Sequence, residues 1–167
     1  MVGSSPKGEG PLAGATNFTV CCSHGACVWR ALGFRMAKER YEGACHCGRV
    51  RFVARGELAK ATVCNCSMCT RKGYIHLVVA PEDFELLAGA DDLALYEFNT
   101  RVAQHRFCKV CGVHPFYTPR SDPDKVDVNV RCLEGVDLDR LTLAPFDGRN
   151  WEESMAALEA RGRVPWR

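Results

Sequence analysis

From Tyr41 onward the chain alternates apolar and polar residues over short stretches, the mark of strands that bury one face. Val50, Phe52 and Ala54 alternate with Arg49, Arg51 and Arg55. Val126, Val128 and Val130 alternate with Asp127, Asn129 and Arg131, the most regular period of two in the sequence. Tyr74-Ile75-His76-Leu77-Val78-Val79 is rich in strand-forming residues and stops before Pro81. Leu93, Leu95, Tyr96 and Phe98 predict another strand, and Phe116 and Tyr117 a short one ended by Pro119. Near the C-terminus the period becomes helical: Trp151, Met155 and Leu158 share one face. Asn150 takes the N-cap position there, with Glu153 three residues on as a capping box. The pattern predicts a mostly β, antiparallel body with one short C-terminal helix.

Residues 1–36 carry no such period. Gly, Ser and Pro are frequent in the first sixteen positions, and Phe18, Val20, Val28 and Trp29 are scattered without a basic start or a clean apolar run. Met36 is an alternative start. The expectation is a disordered or mis-predicted extension over 1–36 and a single domain over 37–167.

Composition adds little to this until charge and cysteine are considered. The 167 residues are 47% hydrophobic and 25% charged, values of an ordinary globular chain. No apolar run approaches the ~20 residues that cross a bilayer, so no membrane is expected. Residues 1–40 hold five Lys/Arg against two Asp/Glu, and residues 41–167 seventeen against eighteen. A near-neutral body argues against nucleic acid as a partner.

Of eleven cysteines, seven fall in three tight clusters: Cys45-His46-Cys47, Cys64-Asn65-Cys66-Ser67-Met68-Cys69 and Cys108-Lys109-Val110-Cys111. These spacings, the odd total and the lack of a signal segment favour thiolates in a reducing, cytoplasmic compartment over disulfides. The Asn17-Phe18-Thr19 sequon is then a chance match, Cys21, Cys22 and Cys27 are incidental, and Cys132 is a buried apolar thiol.

Two cysteines one or two residues apart on a tight turn can face one metal, and Gly48, Gly73 and Gly112 flank the three clusters. A structural zinc takes four ligands, whereas a catalytic zinc takes three and leaves one position open. Seven ligands thus suggest two Zn²⁺ per chain, one closed site and one open. The middle cluster supplies three sulfurs within six residues and no easy fourth. Pairing Cys45 and Cys47 with Cys108 and Cys111 closes the other site. Spacing alone also permits Cys45 and Cys47 with Cys66 and Cys69, which leaves Cys64, Cys108 and Cys111.

The run Tyr41-Glu42-Gly43-Ala44-Cys45-His46-Cys47-Gly48, then Cys64 to Cys69, then Phe107-Cys108-Lys109-Val110-Cys111-Gly112, resembles the glutathione-dependent formaldehyde-activating enzyme family. Tyr96-Glu97-Phe98-Asn99-Thr100 and Phe116-Tyr117-Thr118-Pro119-Arg120-Ser121 are similar to its centromere protein V branch. The resemblance covers about residues 38–152. It implies an Mss4-like β fold, a structural zinc on Cys45, Cys47, Cys108 and Cys111, and an open catalytic zinc on Cys64, Cys66 and Cys69. It further implies carbon–sulfur lyase-type chemistry, in which glutathione or another small thiol adds to formaldehyde. A non-catalytic zinc scaffold, acting through protein contacts like centromere protein V, is the alternative.

An all-thiolate zinc is a weak activator of water and suits a thiol as its next ligand. Arg120 is a candidate to grip a carboxylate of the substrate, and His76, in an apolar strand beside the open cluster, a candidate substrate contact or proton carrier. His46 reads as an exposed turn residue, and His105 and His114 as neighbours of the last knuckle.

Overall fold

A computed structural model describes residues 38–162, so the readings for residues 1–36, with Cys21, Cys22, Cys27 and the sequon, lie outside the described residues. Ten strands follow in chain order. The first five are β1 (Glu39–Ala44), β2 (Arg51–Gly56), β3 (Thr62–Cys64), β4 (Ile75–Val79) and β5 (Phe84–Ala88). The rest are β6 (Leu93–Tyr96), β7 (Gln104–Cys108), β8 (Phe116–Thr118), β9 (Val126–Asn129) and β10 (Ala144–Phe146). Helix α1 (Ser67–Lys72) follows β3, and α2 (Trp151–Ala160) closes the described chain. The architecture is the mostly β one that the periodicity predicts.

The strands form two sheets, one of order β1-β2-β5 and one of order β10-β3-β4-β9-β8-β7-β6. All pairs are antiparallel except β10 with β3. The core lies between the sheets because each presents its apolar alternate residues inward. Val50, Phe52 and Ala54 come from one side, and Ile75, Leu77, Val79, Phe116 and Val128 from the other. Phe52, Phe84 and Phe116 join the sheets, with ring centroids 4.8–5.7 Å apart. Gly43 is the cross-strand partner of Phe52, whose ring lies across it; a Cβ there would fall 2.3 Å from that ring.

Three local features differ from the sequence reading. Helix α1 carries no apolar stripe; it forms because Cys66 caps its start through Sγ and Gly73 ends it at φ +61°. Helix α2 begins where predicted, and Met155 is buried, but no side chain caps it. Asn150 instead donates to Asp147 Oδ2 (2.9 Å), so no capping box forms. Two predicted strands end early: β6 stops at Tyr96, short of Phe98, and Val130 and Arg131 lie in a 3-10 turn (Val130–Cys132) after β9.

Gly43→Val drives two γ-methyls into the Phe52 ring and is expected to destabilise the fold by about 1–3 kcal/mol, the range for overpacking. Gly56→Ala, whose Cβ would meet flexible Leu77 and Val79 methyls at 3.2–3.3 Å, is expected to cost less. Urea midpoints of the two variants check the order.

Candidate metal centres and their cavity

The first cluster joins the two sheets. Cys45 and Cys47 stand in the turn from β1 to β2, while Cys108 ends β7 and Cys111 lies in the turn after it. Both turns close with glycine N–H bonds, Gly48 to Cys45 O (2.9 Å) and Gly112 to Cys108 O (2.8 Å). Gly48 and Gly112 hold φ of +73° and +74°, which a side chain would resist. The four sulfurs lie within 4.8 Å of one another. Cys45 Sγ is 3.6 Å from Cys47 Sγ, which is 3.7 Å from Cys108 Sγ. Zinc–sulfur bonds of about 2.3 Å put tetrahedral neighbours ~3.8 Å apart, so this donor set fits zinc.

The second cluster is built where β3 runs into α1. Cys64 ends the strand, Cys66 caps the helix and Cys69 lies in its first turns. Backbone N–H groups already face the sulfurs: Cys66 N–H to Cys64 Sγ and Cys69 N–H to Cys66 Sγ, both 3.4 Å. Thiol bonds with Cys64 and then Cys69 lower the Cys66 pKa, while bonds with Cys64 and then Cys66 push Cys69 up. Three thiols so close cannot all ionise unless a cation joins them, and that is the condition a metal meets. Gly148 lies against them: a Cβ there would fall 2.3 Å from Cys64 Sγ. Asn65 and Asp147 hold Gly148 in place through an Asn65 Nδ2–Asp147 Oδ1 bond of 2.9 Å.

A ring nitrogen of His76 completes a group with Cys64 and Cys69, the three ligand atoms within 4.8 Å of one another. Register explains this. His76 pairs with Thr62, two residues before Cys64, so His76 and Cys64 are diagonal neighbours on one face. Asp127 stands diagonally to His76 in the same way, since His76 pairs with Asn129. Next along the row come Tyr117, opposite Asp127, and His105, opposite Tyr117. His76 Nδ1 lies 2.8 Å from Asp127 Oδ2, with both side chains at most 7% exposed.

This row lines the floor of a cavity of about 480 Å³ that also reaches Cys64, Cys66 and Cys69. Phe98, Phe146 and Trp151 stand in its walls among smaller and polar residues, and it lies within the usual size of small-molecule sites. Arg120 and Arg149 stand on its lining. Arg120 lies 3.6 Å over the Trp151 ring and pairs with Glu152 at 3.3 Å, so part of its guanidinium is committed to α2.

His105 is stacked between Phe98 and Tyr117, at 5.6 and 4.9 Å. Burial, and then the Lys72 charge, lowers its pKa to about 4; Lys72 Nζ lies 3.1 Å from its Nδ1. Burial lowers Lys72 to about 8 despite the anionic groups around it. His46 is exposed, and His114 is half-buried against Phe107. Cys132 is half-buried, and burial raises its thiol to about 12. The sequence reading passed over Asp127, Tyr117, Gly148 and Trp151. Asp127, Tyr117 and Trp151 appear in the pattern only as members of strands and of the C-terminal helix, and Gly148 leaves no trace.

The fold is a two-sheet β one with two groups of side chains able to hold a metal, one of four cysteines and one of Cys64, Cys69 and His76 at a cavity. Residues 40–147 match the family described as glutathione-dependent formaldehyde-activating enzyme, and the chain belongs to that family. It is also similar to a Rhodobacter sphaeroides protein of known crystal structure. The two are 40% identical with a TM-score of 0.59, over 62% of this chain and 97% of that one. Among the described residues no helix is long and apolar enough to cross a membrane.

Cys108→Ser is expected to lower the thermal midpoint sharply in metal-loaded protein, because a metal held by all four sulfurs of a cluster couples its binding to folding. Gly148→Ala, whose Cβ would crowd Cys64 Sγ, is expected to weaken metal binding at the second cluster and leave the fold; metal analysis with thermal melts separates the two. A second expectation concerns acid. The unfolded His105 protonates near 6.5 and the folded one near 4, so its share of stability is complete above pH 6.5 and falls as pH drops toward 4. At pH 5 the proton uptake on unfolding should fall by about one in His105→Gln.

Proposed function

We propose that the protein is a zinc-dependent, carbon–sulfur lyase-type enzyme acting on adducts of glutathione, or a similar small thiol, with formaldehyde-like carbonyls. One observation carries the reading: the Cys64, Cys66 and Cys69 sulfurs open onto a cavity, whereas the four-cysteine cluster does not line it. A cluster that only braced the fold would need no such access, which also weighs against a pure scaffold.

The forward reaction forms a C–S and an O–H bond while the thiol S–H and the carbonyl π bond break. Cys64, Cys66 and Cys69 would hold the catalytic zinc, and Cys45, Cys47, Cys108 and Cys111 the structural one. The catalytic zinc, when bound, supplies a thiophilic centre that acidifies a thiol near neutral pH. Lys72, whose charge interacts with Cys69 and Cys66, offsets the negative charge of a thiolate-rich site. The Tyr117 phenol, held protonated by burial and by Asp127, keeps a hydroxyl on the floor. Arg120 and Arg149 offer guanidinium groups at the wall, suited to a thiol that carries carboxylates on both sides.

Formaldehyde loss, followed with glutathione and the zinc-loaded chain, should exceed the uncatalysed rate and return to it in Cys66→Ser. Arg120→Ala should raise KM for glutathione about 10–100-fold, the worth of a charged hydrogen bond, and leave a thiol without carboxylates unaffected. A wild-type chain that accelerates no thiol–formaldehyde addition contradicts the proposal.

A further inference from the structure

We propose that His76 is the fourth donor of the second metal site, its Nε2 lone pair closing the set formed by Cys64, Cys66 and Cys69. The inference rests on the reading above that those cysteines hold a zinc. It changes the site from an open one into a closed one at rest.

Three observations converge on it. His76 Nε2 is buried and has no hydrogen-bond partner among the described residues. A histidine serving only the core would have both nitrogens satisfied. Nδ1 is taken by Asp127 Oδ2 at 2.8 Å, which fixes the proton on Nδ1 and leaves the Nε2 lone pair as a donor. The ring nitrogen and the Cys64 and Cys69 sulfurs lie within 4.8 Å of one another, a group that leaves out Cys66, whose Sγ accepts from Cys69 N–H at 3.4 Å; the diagonal register of β3 and β4 sets the approach of His76.

The Asp127 carboxylate strengthens the case. It is 2% exposed, on a strand whose apolar residues face the core, and its contact with His76 orients the ring as carboxylates orient metal-bound imidazoles. Tyr74 packs 4.7 Å from the His76 ring and Tyr117 at 6.1 Å, so the ring has little freedom to turn.

X-ray absorption at the zinc edge of the tag-free, zinc-loaded full chain tests this directly, because cysteine sulfurs give no imidazole scattering. The expected result is two zincs per chain with the outer-shell scattering of one imidazole, lost in His76→Gln. Asp127→Asn should weaken the second zinc about 10–100-fold and leave the first unchanged; a merely structural Asp127 would weaken both through the fold. Two zincs with sulfur and light-atom scattering but no imidazole would overturn the proposal and spare the reading it rests on. A single zinc in the wild-type chain would overturn both.

Discussion

The site depends on one constraint, the register of β9 between β4 and β8. Antiparallel pairing places His76, Asp127, Tyr117 and His105 in one row across four strands, all on the face away from the core. The same pairing turns Leu77, Val79, Phe116 and Val128 to the other face, against the small sheet. A slip of one residue would bury the polar row in the core and expose the apolar one. Packing of the two sheets thus holds the polar row in place, on the face that the core leaves over.

The two cysteine groups use the same residue type for different ends. One lies where the β1–β2 turn of the small sheet meets the end of β7 and the turn that follows it. The other ends a strand, caps a short helix and faces a cavity. The difference is access rather than ligand chemistry. Gly148, pinned by Asp147 and Asn65, brings bare backbone against Cys64, and Trp151 with Arg120 walls the far side. The cavity floor is poor in mobile charge, because burial keeps His105 neutral and the tyrosines protonated.

Much of the fold was legible because it follows from periodicity: β2, β4, β9 and α2 are continuous patterns in the chain. Helix α1 was not, since its start comes from a cysteine sulfur and its end from Gly73, and neither shows in an apolar period. The three cysteine clusters were legible through their spacing, but spacing did not choose among the pairings; the meeting of β1 and β7 ends brings Cys45 and Cys47 to Cys108 and Cys111. Asp127 shows the limit most clearly. In sequence it is the polar side of an amphipathic strand and reads as solvated, yet cross-strand neighbours bury it against His76. The partner of a buried polar group is a long-range fact that a local pattern does not hold.

The account stands on a second metal at the cavity. A crystal of the zinc-loaded chain, with anomalous scattering recorded on either side of the zinc edge, tests it most directly. The account predicts two peaks, one among Cys45, Cys47, Cys108 and Cys111 and one among Cys64, Cys66, Cys69 and His76. One peak at the first cluster, with the Cys64, Cys66 and Cys69 sulfurs free or joined in a disulfide, would contradict it.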